Sequence, residues 1–160
     1  MKRNKRIYLA APYTHADYDI MQQRYEIITD VATELTKIGF HVFSPITHAH
    51  PINLKLPNRG VSFTNWMDYD LNMIALWADQ IFVLPLTGVE DSLGVRMEIA
   101  FSQRINRPIF YMLESEPGKF VFNPVLLPFN FVCETAVPDY QKDIENIKEL
   151  CHGNSPRSND

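Results

Sequence analysis

The sequence predicts an α/β domain, with a parallel sheet covered by helices on both faces. Three observations carry this. The strand-like runs are continuously apolar rather than alternating, which suits strands buried on both faces. The segments between them repeat their apolar residues at helical spacing. The two kinds alternate along the chain, in the order β-α-β-α-β-α-β-(β)-α. The chain has 160 residues, the size of one domain with one substantial core.

The first strand is RIYLAA, residues 6–11, stopped by Pro12. PYTHADYD follows as a polar turn and offers Asp17 or Asp19 as a helix N-cap. Over 20–38, Met21, Tyr25, Ile28, Ala32 and Leu35 recur at spacings 4, 3, 4 and 3 and define one helix face. Gly39 suits the C-terminal cap. HVFSPI, 41–46, reads as the second strand, ended by Pro45.

Residues 47–64, THAHPINLKLPNRGVSFT, read as a long polar loop, a feature that compact domains often keep for function. The second helix spans about 65–78. Trp66, Met73, Ile74 and Trp77 share a face there, and Asp70 lies on it, four residues from both Trp66 and Ile74. DQIFVLPL, 79–86, is the third strand, and TGVEDSLG leads into a helix over about 93–105. RPIFYML, 107–113, is the fourth strand. A fifth is expected around FNFVCE and a last helix over 139–151. One domain over 1–152 and a disordered polar tail over 153–160 complete the expected layout.

A net charge of -4 and a pI near 5.7 oppose non-specific binding to nucleic acid or anionic membranes, which needs a basic surface. No run is long enough to span a membrane. MKRNKR resembles the start of a signal peptide, but the apolar run after it is short and ends in proline, so it reads as a basic leader into the first strand. Cys133 and Cys151 show no CxxC or Cys/His ligand spacing, so reduced thiols and a cytoplasmic setting are expected.

In open parallel sheets, ligands sit beyond the carboxyl ends of the strands. The segments to search are therefore APYTHAD, with Pro12, then SPITHAHP, with His48 and His50, and TGVEDSLG. They contain no GxGxxG, P-loop or GxSxG motif. His48 and His50 lack a clear third metal ligand, so no metal site is expected. The carboxylates are more telling. Asp70 and Glu98 lie on apolar helix faces, where a buried charge is costly unless paired or hydrogen-bonded. Two carboxylates directed at one cleft is the arrangement that cleaves glycosidic bonds. Asp91 and Ser92 are explained equally by capping the next helix. Ser92 and Gly94 at that helix N-terminus also suit an anion.

IYLAAPY, YDLNMIALWADQIFVLP and EDSLGVRMEIAFS resemble the nucleoside 2-deoxyribosyltransferase superfamily, which includes the 2′-deoxynucleoside 5′-monophosphate N-glycosidases. The opening, through SPITHAHPI, resembles more closely a bacterial and phage branch of uncharacterised proteins in that superfamily. The resemblance covers roughly residues 6–113, and its third motif is the most specific.

The resemblance implies a flavodoxin-like three-layer sandwich with a five-stranded parallel sheet. It implies that Glu98 is the nucleophile, attacking C1′ and forming a covalent glycosyl-enzyme. Asp70 would bind sugar hydroxyls and help place Glu98, and Tyr8 would hydrogen-bond nearby. The SxGxxxE spacing of Ser92, Gly94 and Glu98 resembles the monophosphate hydrolases, whose serine binds the 5′-phosphate. His48 or His50 would match their histidine after the second strand. An aspartate near Asp91 contacts the base in the transferases, and Pro12 lies in the first loop of the substrate set.

The chain also departs from the pattern. Ala100 stands where the family helix has glycine, and APYTHAD replaces the glycine-rich first loop of the monophosphate hydrolases. Tyr140 is the candidate for the C-terminal tyrosine that completes the transferase site.

The expected activity is hydrolysis of the base–sugar bond of a nucleoside or nucleoside 5′-monophosphate, without metal or organic cofactor. The alternatives are deoxyribose transfer between bases and a catalytically silent nucleotide sensor. A small-molecule ligand is expected, with a homo-oligomer (dimer or tetramer) in which the face around Trp66, Met73 and Trp77 is a candidate contact.

Overall fold

A computed structural model describes residues 5–56, 62–116 and 119–126. The expected strand at FNFVCE, the last helix, Tyr140, both cysteines and the tail lie outside them. The element order is β1 (Arg6–Ala10), α1 (Tyr18–Lys37), β2 (His41–Phe43), α2 (Pro45–Asn53), α3 (Phe63–Asn72) with a π turn (Met73–Trp77), β3 (Gln80–Val83), α4 (Leu93–Arg104), β4 (Ile109–Glu116) and β5 (Lys119–Leu126).

The five strands form one sheet in the order β2-β1-β3-β4-β5. β1 pairs in parallel with β2 and β3, and β3 with β4. β5 pairs antiparallel with β4, so the sheet is mixed rather than wholly parallel. The cause is the connection. Only residues 117 and 118 separate the two strands, whereas a parallel return needs a crossover of about a dozen residues or more. The order and the parallel pairs fit a flavodoxin-like fold.

Side chains alternate across β1. Ile7 and Leu9 enter the core with Ile28, Val31 and Leu35 of α1 and Ile46 of α2. Tyr8 and Ala10 enter the opposite core with Met67, Leu71 and Ile74 of the α3 segment and Val95 and Ile99 of α4. A slip of one residue in β1 would exchange these sets, so the two cores fix its register and send Tyr8 toward α3 and α4.

The caps follow local chemistry. Of the two aspartates, Asp17 caps α1, accepting from the Asp19 N–H at 2.9 Å. Gly39 ends that helix with φ +97°, a left-handed conformation that a Cβ would strain. Gly39 N–H donates to Thr36 and Phe40 N–H to Leu35, which closes a Schellman motif.

The segment expected as a loop over 47–64 instead begins as a helix, α2. Pro45, read above as a strand stop, is its first residue, where the missing N–H costs nothing. The helix after it ends in a π turn, where Ala78 N–H donates to Met73 O at 3.0 Å. Arg107 closes that turn from outside, donating from Nε to Ile74 O (3.3 Å) and from Nη2 to Ala75 O (2.8 Å). Arg107→Ala strands two carbonyls that the π turn leaves without these donors. Its expected cost is about 1–3 kcal/mol in urea unfolding. An unchanged midpoint would show that water serves those carbonyls as well.

Among the described residues, no helix is long and apolar enough to cross a membrane.

Candidate active site

The carboxyl ends of β1, β2 and β3 open into a cleft of about 360 Å³. It lies at the point where the chain turns from β1 to β2 on one side and to β3 on the other, the usual ligand position in open α/β sheets. The loop after β1 contributes Ala11, Tyr13 and Thr14, and α2 contributes Pro45, Ile46, Ala49 and Asn53. α3 supplies Trp66, Met67 and Asp70, and the start of α4 supplies Ser92, Gly94, Val95 and Glu98.

The carboxylates reach the cleft because each occupies an inward helix position. Met67, Asp70, Leu71 and Ile74 are all buried, at spacings 3, 1 and 3. Val95, Glu98, Ile99, Phe101 and Ser102 form the buried face of α4. Asp70 is 7% exposed and Glu98 5%.

Glu98 Oε1 accepts a 2.7 Å hydrogen bond from the Tyr8 hydroxyl. Oε2 is buried and has no partner among the described residues. Burial, reinforced by the charge of Asp70, pushes the Glu98 carboxyl well above the usual range, while the Tyr8 hydrogen bond works the other way. Burial also raises Asp70, to about 7. Tyr8 is raised too, by burial and then by the two acids, so it stays a neutral donor.

The remaining expected site residues are dispersed. Ser92 and Gly94 line the cleft, and Ser92 also caps α4, its Oγ accepting from Val95 N–H at 3.4 Å. Asp91 lies exposed on the turn before α4 and is not a lining residue. Pro12 is fully buried at the end of β1. His48 stacks on Tyr69 (centroids 5.1 Å apart) and meets the edge of Trp66, so it backs the cleft wall rather than forming it.

His50 is 3% exposed, stacked on Tyr25 at 4.1 Å, and its Nδ1 is 2.6 Å from the Tyr13 hydroxyl. Burial lowers its pKa, so the ring is neutral at pH 7, and it supports the cleft residue Tyr13 without lining the cleft itself. Among the described residues, no group of three or more His, Cys, Asp or Glu could hold a metal ion.

Sequence reading passed over Tyr13, Asn53 and Ala49 as lining residues. Once α2 is read as a helix, Pro45, Ala49 and Asn53 fall at i, i+4 and i+8, a usable signal. Arg24 is a further support. It donates to the carbonyls of Tyr13 and Thr14 (3.2 Å each) and of Thr87 (2.8 Å), joining the loops after β1 and β3 on either side of the cleft.

Fold and cleft together define an open-sheet α/β protein with a buried pair of acids at its switch point. The chain belongs to the family described as "Domain of unknown function (DUF1937)", which matches residues 5–114 and so includes every residue of the cleft. A search of curated proteins finds no match.

Proposed function

We propose that this protein is an N-glycosidase that hydrolyses the base–sugar bond of a nucleoside 5′-monophosphate, with Glu98 as nucleophile. The carrying observation is the Glu98 carboxyl itself. It is buried in a cleft beside a second acid, with one oxygen held by Tyr8 and the other unpartnered. A buried acid in that state raises the cost of folding, and a reaction that uses its free oxygen accounts for its presence. The resemblance of three sequence motifs to the nucleoside 2-deoxyribosyltransferase superfamily supports the same reading.

In the proposed reaction, Oε2 of ionised Glu98 bonds to C1′ as the C1′–N bond breaks. The bonding pair leaves with the base nitrogen, which takes a proton from water. A second water then adds to C1′ and gives its proton to the hydroxide left by the first, the bond from C1′ to Glu98 breaks with its pair returning to the carboxylate, and a free base and a sugar 5-phosphate result. The two acids repel each other's ionisation, so near neutral pH the pair favours a single negative charge. The Tyr8 hydrogen bond favours the ionised form of Glu98 against the burial that opposes it, and in this reading Asp70 hands the charge over when it hydrogen-bonds a sugar hydroxyl. Ser92 and Gly94, at the positive end of α4, suit the 5′-phosphate.

The test is a panel of nucleosides and 5′-monophosphates, with and without a second free base, followed by chromatography. Base release from monophosphates alone is expected. Exchange only with added base would make the protein a transferase, and binding without release would make it a sensor. Tyr8→Phe is expected to lower release near pH 7 by about 10- to 100-fold, the worth of a hydrogen bond to a charged group. Because that bond lowers the Glu98 pKa, its loss should move the acid limb of the rate profile to higher pH and narrow the deficit at pH 9. A deficit equal at all pH values would remove Tyr8 from the ionisation of Glu98.

A further inference from the structure

The cleft has a second wall that the glycosidase chemistry leaves unexplained. Pro45, Ile46, Ala49 and Asn53 of α2 face it together with Trp66 and Met67 of α3. This wall is apolar and aromatic except for one amide. Trp66 Nε1 donates to Asn53 Oδ1 at 3.2 Å. An indole nitrogen can only donate, so it accepts the amide in one orientation, oxygen toward the ring. The Asn53 amino group is then the part left for the cleft, and it has no partner among the described residues. An asparagine ordinarily offers both a donor and an acceptor, but this one offers a ligand a donor.

Its position matters as much as its polarity. Trp66 and Asp70 are both cleft residues one turn apart on α3, about 6 Å along the helix axis. With the sugar held at Asp70 and Glu98, a base directed toward Trp66 would meet Asn53, hydrogen-bonded to that indole, among side chains suited to a planar heterocycle.

Resting on the proposed nucleotide reading, we infer that Asn53 is a specificity residue that selects bases carrying an oxo group over those carrying an amino group. The substrate class is then 6-oxopurine and 4-oxopyrimidine nucleoside 5′-monophosphates. An oxo oxygen accepts from the Asn53 amino group. An amino base sets donor against donor once it covers this wall, and neither is satisfied.

The test uses pairs that differ at that group, deoxyinosine against deoxyadenosine monophosphate and deoxyuridine against deoxycytidine monophosphate. Base release is measured as kcat/KM for the full chain. Binding is measured by calorimetry on a Glu98→Gln variant, which holds ligands without turnover. The oxo member is expected to be favoured about tenfold or more in both assays. Asn53→Asp replaces the donor by an acceptor and should reverse the preference. Trp66→Phe removes the group that orients the amide and should bring the ratio close to one.

Release with equal rates for both members, or a ratio unmoved by both substitutions, would overturn the role of Asn53 and leave the glycosidase standing. Discrimination in binding without any release would support Asn53 and overturn the hydrolase. Neither binding nor release would overturn both.

Discussion

Glu98→Gln is expected to abolish base release, by a factor on the order of 10³ or more, while making the protein more stable. The glutamine amide keeps the shape of the side chain, and its oxygen can still accept from Tyr8. What it loses is an ionisable oxygen in a site where burial and a neighbouring acid already oppose ionisation. A buried carboxylate is costly, so its removal should raise the unfolding free energy measured in urea at pH 8 by about 1–3 kcal/mol. Both measurements belong on one preparation. A variant that is destabilised and still active would show that Glu98 serves packing instead of chemistry.

Asp70→Asn should produce a large pH-dependent change in stability. Aspartate has an ordinary pKa of 3.8, and burial raises Asp70 to about 7. Between those values the folded protein keeps a proton that the unfolded chain has released. The folded state therefore binds more protons, and stability falls as pH rises through this window, levelling off above about 7. The two values differ by an amount equivalent to roughly 4 kcal/mol, an upper figure for the stability lost. Glu98 contributes with the same sign. Asparagine holds no proton to lose. Its advantage over the parent protein should be absent near pH 4 and grow to a few kcal/mol by pH 8, with base release reduced. Unfolding curves at pH 5 and pH 8 for both proteins decide this. A constant difference, or one that shrinks as pH rises, would mean that Asp70 is solvated or paired.

Both outcomes describe one trade. The cleft keeps two acids where hydrophobic packing alone would reject them, and removing either should strengthen the fold while weakening the proposed reaction. Support is placed around them accordingly: Tyr8 beneath Glu98, Arg24 across the two loops, and Arg107 on the π turn that follows Asp70.

Much of this was legible in one dimension. Continuous apolar runs marked β1 and β3, because strands buried on both faces have no solvent side to encode, and shorter apolar runs marked the less buried β2 and β4. Helical spacing placed α1 and α4 within two residues of their ends, and put Asp70 and Glu98 on inward faces. Two elements were misread for local reasons. Pro45 ends a strand and starts a helix with the same ring, and the choice between those roles depends on what packs behind it. The direction of β5 depends on the shortness of its link to β4.

By itself, then, the sequence determined the α/β class, the strand-end loops as the place to search for a site, and the pair of acids worth pursuing. Periodicity reports which residues are buried, and burial of an acid is informative in any fold. Only the tertiary structure decided which side chains meet. Tyr8 lies 90 positions from Glu98 and Trp66 lies 13 from Asn53. His48 and His50, two positions apart, part company, one behind the cleft wall and the other under Tyr13. Those partnerships depend on sheet order and helix rotation, which arise from packing the whole core and which no spacing along the chain records.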